Sequence, residues 1–435
     1  MAVGMVLADS SVVILALPAI LDQFNVAIDD VSWVLTIFNL VLAIVAVPAA
    51  LLARRWAPGV VCSAGLVVFA GASLACALAP SFGFLLGGRA LQAVGGAAAV
   101  CSALELLPAR VGSERRAAAI WALAGALGAA AGPAIGGALT EAISWKAIFI
   151  VQVPLALLAL IFIPRGDAPI GARQRPGRPH IGANLALGLL SAALTAALFL
   201  IVLLLINGWG HSPIQAAAIV TVMPIAAAVT YFLPLPRPPS PVPAVCGALL
   251  IGGGLIACAL LPAADWGWLL LPQIAIGAGL ALAVGSLTQD ALEGRSAIAI
   301  HGGWTIASRH AGVCVGLLIL TPIFTSDLLS QQDAAEASGT RIILDSNLSF
   351  TGKLDLGSAL VDQIQAGAVT KPPNLAPAFD AAIKGGSDPS EIRNLEAKIQ
   401  DEVKRAVTHA FSRSFLIAGL LGLLAIVPLA RRVTL

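Results

Sequence analysis

The chain has 435 residues, of which 58% are hydrophobic and only 11% charged, with 25 Lys and Arg against 23 Asp and Glu for a net charge of +2. Mean hydropathy is +0.93, and the charged share lies far below the roughly 25% of soluble domains, which excludes a water-soluble globular protein and leaves a polytopic membrane protein. No nucleic-acid partner is expected; the partners implied are the lipid bilayer and a small molecule, and the chain is expected to act as a monomer.

Residues 1–21 are apolar throughout, carry no basic leader and are long for the hydrophobic region of a cleavable signal, so they read as a first span. Asp9 lies in it, about 12 Å along at the helical rise, near mid-membrane. Further apolar runs cover residues 31–53, 60–78, 82–107, 117–140 and 147–163. Within the fifth, Gly125, Gly128, Gly132, Pro133, Gly136 and Gly137 form a stretch in which Gly128, Gly132 and Gly136 recur every fourth residue. On a helix that spacing makes one bare face that admits another backbone, and Pro133 predicts a bend.

Residues 165–182 break the pattern with Arg165, Arg173, Arg175 and Arg178 among Pro and Gly, the composition of a linker. Apolar runs resume at 183–206, 214–233, 242–261, 268–288, 296–324 and 415–430. The expected organisation is a six-helix bundle (1–164), the linker (165–182), five helices of a second bundle (183–324), a polar insert (325–410), and a last helix with its tail (411–435). If the chain starts inside, Arg54, Arg55, Arg110, Arg115, Arg116, Arg165, Arg173, Arg175, Arg178, Arg237, Arg295, Arg431 and Arg432 all fall inside, and the short outer turns hold only Lys146. That asymmetry predicts a multi-pass protein of the cell (inner) membrane with both termini cytoplasmic. Trp145, Trp209, Trp266 and Trp268 fall near span ends, as an interfacial belt would. The insert, with twelve acidic and eight basic residues between 325 and 409, is expected outside, where Ile392, Leu395, Ile399, Val403 and Val407 mark an amphipathic helix leading into the last span.

Ionisable groups inside a membrane are costly and so are candidates for function. Asp9 and Arg89 fall at similar depth and are expected to share one cavity and carry proton coupling. Arg309 and His310 make the corresponding polar spot in the second half, with Trp121 and Trp304 as further cavity candidates and Arg54 and Arg55 at the cytoplasmic end of the second span. Glu105, Gln289, Asp290 and Glu293 sit near span ends, where snorkelling or loop ion pairs suffice to explain them. The cysteines at 62, 76, 101, 246, 258 and 314 are single residues within apolar runs and imply neither disulfide nor metal. No phosphate-cradling GxxxxGK[ST] loop, HExxH pair or serine nucleophile motif is present, so neither an enzyme nor a cofactor is expected, and either an ion gradient supplies the energy or the protein is a passive carrier.

Four segments in order carry a family resemblance: residues 9–18 (DSSVVILALP), 88–96 (GRALQAVGG), 125–137 (GALGAAAGPAIGG) and 145–154 (WKAIFIVQVP). With the weaker 208–216 (GWGHSPIQA) and 308–312 (SRHAG), the chain resembles a major facilitator superfamily transporter, most of all the drug:proton antiporter branch that usually has fourteen spans, here with about twelve. The resemblance implies an all-α membrane fold of two six-helix halves and proton-coupled export of lipophilic or amphipathic compounds by alternating access. A specific carrier of a metabolite or organic anion and a non-transporting scaffold or sensor remain the alternatives. Where the family has Asp in the loop after the second helix, this chain reads ALLARRWAPG (50–59) and has Arg54.

Overall fold

A computed structural model describes residues 1–163, 177–233, 241–292, 295, 297–366, 375–384 and 388–430. Arg165, Arg173 and Arg175 of the linker, the proline run from Pro234 with Arg237, Glu293, and Arg431 and Arg432 lie outside the described residues.

In hydrocarbon each backbone N–H and C=O must find its partner within the chain, so apolar runs of this length close on themselves as helices. The first half comprises α1 (Ala2–Ile14), α2 (Leu17–Phe24), α3 (Ile28–Arg55), α4 (Pro58–Ala77), α5 (Phe82–Val111), α6 (Glu114–Ala142) and α7 (Lys146–Ile161). The second comprises α8 (Ile181–Leu203), α9 (Pro213–Val220), α10 (Val222–Phe232), α11 (Val242–Ala259), α12 (Leu270–Leu292), α13 (Ile298–Leu344), α14 (Phe350–Ala366), α15 (Ala376–Lys384), α16 (Pro389–Ala410), α17 (Ser412–Leu424) and α18 (Val427–Ala430). Among the described residues ten helical runs are long and apolar enough to cross a membrane, the bent pair α1–α2 makes an eleventh, and the 16-residue α7 brings the set to twelve.

The two halves are built alike. In the first, α4 and α5 cross where Gly65 meets Gly95, and α1 crosses α6 where Gly4 meets Gly128. In the second, α11 and α12 cross at Gly247 and Gly279, and α8 crosses α13 at Gly188 and Gly312. At each crossing a Cβ would strike the opposing backbone, so only glycine allows the approach. The repeat of the same two contacts between corresponding helices is what an internal duplication of the fold would produce.

Three features depart from the sequence reading. The first span is not straight: α1 and α2 meet at 59°, because Pro18 in the first turn of α2 offers no N–H to Ile14. Pro133 lies inside α6, a single helix of 29 residues that runs through it. The eleventh span does not end with its apolar run at 324; α13 continues for 47 residues, about 70 Å at the helical rise. Its distal part, with α14, α15 and α16, encloses a small core of Ile343, Leu356, Leu360, Leu375, Phe379, Ile392, Leu395 and Ile399. Trp145 is also no interfacial side chain; it is 4% exposed, packed edge-on against Phe149 and Phe24, and donates to Gln23 Oε1 at 2.7 Å. Trp266 and Trp268 are exposed.

Candidate functional site

Asp9 and Arg89 meet. Asp9 Oδ2 lies 2.6 Å from Arg89 Nη1, and both side chains are wholly buried. The guanidinium also donates to the Val34 carbonyl through Nε at 3.1 Å and to Gln92 Oε1 through Nη1 at 2.6 Å, and it lies 4.2 Å over the Phe38 ring. On the carboxylate side, Gln152 Nε2 donates to Asp9 Oδ1 at 2.8 Å. Gln92 Nε2 closes the ring by donating to Gln152 Oε1 at 2.6 Å and to Ser73 Oγ at 2.8 Å. Five helices of the first half thus hold one ion pair: α1 brings Asp9, α3 the Val34 carbonyl, α4 Ser73, α5 Arg89 and Gln92, and α7 Gln152. Breaking such a pair from one side costs about 3–5 kcal/mol, because the remaining charge is left desolvated.

A second polar thread crosses between the halves. Asn39 of α3 accepts on Oδ1 from Ser10 of α1 at 3.4 Å and lies 2.5 Å from His310 Nδ1 of α13, while its own Nδ2 donates to the Leu35 carbonyl at 2.7 Å. Arg309, beside His310, is half-buried and makes no hydrogen bond or ion pair with a described residue. Trp121 joins neither group; it is buried against α5, with its indole N–H on the Val100 carbonyl at 3.1 Å. Trp304 is 43% exposed and turned away from both.

The glycine stretch serves both interfaces of α6. Gly125, Gly128, Gly132 and Gly136 face Leu7, Gly4, Ser11 and Val12 of α1, whereas Gly137 faces Pro213 and Ala217 of the other half. Close by, Glu141 Oε2 accepts from the Ile214 N–H at 2.8 Å, which opens α9. At the arginine-bearing end, Arg54 is buried and its Nε lies 4.0 Å from Glu105 Oε1, while Arg55 is exposed. The Glu105 carboxylate also lies close to the backbone of Ala299 in the first turn of α13. An acid therefore does sit between the halves at this end, but it comes from α5 and is countered by Arg54. A carboxylate at a helix N-terminus is stabilised by the exposed N–H groups there.

Asn39, Ser73, Gln92 and Gln152 were not singled out as site residues from the sequence. Their common signal is a single amide or hydroxyl inside an otherwise apolar span, where polar side chains act as interhelical glue.

A family model described as Major Facilitator Superfamily matches residues 1–323. The chain belongs to the major facilitator superfamily. The match takes in the ion pair, the cross-half thread and the membrane part of α13, and stops before the insert. Among similar superfamily proteins, the multidrug efflux pump LfrA of Mycolicibacterium smegmatis is 37% identical over 160 residues, 36% of this chain and 32% of that protein. The methylenomycin A resistance protein of Bacillus subtilis is 32% identical over 206 residues, 45% of this chain and 43% of that one. The chain spans less than half the length of these curated relatives. A crystal structure of a bacterial homolog of the human lysosomal transporter Spinster, inward-facing, covers 99% of this chain and 96% of its own at 17% identity and a TM-score of 0.60, a likeness of fold.

Proposed function

We propose that this superfamily member is a proton-coupled secondary transporter of the cell membrane, exporting lipophilic or amphipathic compounds, drugs among them, by rocking its two halves about a midplane site. The observation that carries the reading is the sealed Asp9–Arg89 pair. A proton arriving at Asp9 removes the counter-charge of Arg89, and an uncompensated buried guanidinium is expensive enough to favour a state in which water reaches it. A proton can thereby shift the population between two arrangements of the bundles. The bare face of α6 suits such rocking, because it meets α1 on one side and the second half on the other. Relatives named as a multidrug efflux pump and as the tetracenomycin C resistance and export protein of Streptomyces glaucescens support export as the direction. The clustering of arginines at one end supports cytoplasmic termini.

The test uses proteoliposomes carrying the full chain, a pH-sensitive dye inside and fluorescent amphiphiles as cargo. Amphiphile flux should move protons in the opposite sense and collapse with a protonophore. Asp9→Asn should abolish the coupled proton movement and Asp9→Glu should keep part of it. Flux that ignores both the protonophore and Asp9→Asn would sink the reading.

A further inference from the structure

The circumference of α13 divides into sectors. Trp304, Ala311, Val315, Leu318 and Ile319 are exposed, and at 100° per residue they fall within a strip about 100° wide. Ser308, Gly312 and Gly316 meet α8 (Asn184, Gly188 and Ala192), while Gly303, His310 and Cys314 meet α3. Arg309 points about 130° from the middle of the exposed strip, close to Gly302, which abuts Leu104 of the other half. Its guanidinium is therefore directed between the two bundles, and it is only half-buried there, so space lies in front of it.

The charges around it do not balance. Arg89 has Asp9 and Arg54 has Glu105, but no carboxylate among the described residues approaches Arg309. His310 beside it faces Asn39 and offers no counter-charge. A guanidinium held inside a membrane with no carboxylate of a described residue beside it favours the approach of an anion, and its planar fork matches a carboxylate or phosphate oxygen pair. Val313 and Ile306, buried on the same side of α13, supply apolar surface next to it.

We infer that Arg309 binds the anionic head of the cargo, so that the compounds carried are amphipathic acids with an apolar body. This rests on the transporter reading for its cargo, but a binding measurement without any gradient tests it. The full chain in phosphatidylcholine nanodiscs is titrated with 11-(dansylamino)undecanoic acid and with the corresponding uncharged amide, with protein-free nanodiscs subtracted. The acid should bind at least tenfold more tightly than the amide. Arg309→Gln should erase that preference, Arg309→Lys should keep most of it, and Trp304→Ala, on the opposite face, should leave it unchanged. Equal binding of acid and amide by the unaltered protein overturns the inference without recourse to any variant, as does an undiminished preference in Arg309→Gln. A chain that prefers the acid but ignores protons would retain this site and lose the coupling, so the two readings fail separately.

Discussion

Asn39 and His310 touch across the boundary between the two halves, Oδ1 to Nδ1 at 2.5 Å, with Ser10 on the same oxygen. The contact lies along the α3–α13 seam, where Cys314 also donates to the Thr36 carbonyl and Thr325 to Asp29. It is a polar contact at buried depth between elements that would move against one another in the proposed rocking cycle. Replacing Asn39 by Leu strands the imidazole and should cost about 1–3 kcal/mol, the usual penalty for an unsatisfied buried polar group. Thermal unfolding in detergent should show the loss, and His310→Leu in the same background should recover most of it.

The Asp9–Arg89 pair predicts strong non-additivity. Asp9→Asn or Arg89→Gln alone should each destabilise the first half by about 3–5 kcal/mol, whereas the double variant, which buries no charge, should cost far less than their sum. A double-mutant cycle on unfolding midpoints measures this. Additive losses would show that the two side chains do not act as one unit.

Arg54 and Glu105 predict a charge swap. Arg54→Asp places an acid of the family's type beside Glu105 and should open the arginine-bearing end by like-charge repulsion. Glu105→Arg in that background should close it again. Alkylation of a cysteine introduced at Ala299 reads the outcome: fast in Arg54→Asp, slow in the parent and in the double swap.

Glycine contacts predict which positions tolerate a methyl group. Gly128→Ala drives a Cβ into the Gly4 carbonyl and should prevent α1 from seating on α6, seen as loss of folded protein on size exclusion. Gly71→Ala meets nothing within 4 Å and should stabilise its helix by up to about 1 kcal/mol.

In the insert, Asp388 accepts from the Ser390 N–H and hydroxyl at the start of α16, at 2.9 and 2.8 Å, and these donors hold its carboxyl below the usual aspartate value. A lowered folded value means the contribution is complete above the unfolded value and drains away as pH falls through the folded one. The protection of the first-turn amides of α16, measured against their intrinsic exchange rate at each pH, should therefore be high at neutral pH and fall in acid, and Asp388→Ala should leave it low at both.

The spans were legible because hydropathy reports where hydrocarbon begins and ends, and so were Asp9 and Arg89, because an isolated charge in an apolar run stands out. The ring around them was not. Ser73, Gln92 and Gln152 lie on three helices, and nothing in the order of residues says that 73, 92 and 152 converge. Hydropathy also hid the length of α13: polarity changes at residue 325, yet the following Leu, Gln, Ala and Glu are good helix formers, so the helix outlasts the bilayer run. The two prolines show the same limit. Pro18 falls at the join of two helices and Pro133 falls inside one, and the neighbours against which each packs decide the difference.

The unbroken run of α13 has a mechanical outcome. One end packs through Gly302 on Leu104 of α5 and the other is built into the core around Phe379, so the helix is a lever with its longer arm in the membrane and its shorter arm in the insert. A tilt of about 10° over about 70 Å sweeps the far tip through about 12 Å. In the proposed rocking cycle the insert would therefore act as a pointer on a dial, and a pair of fluorophores, one near Leu344 and one on the first half, would follow each stroke without touching the cargo.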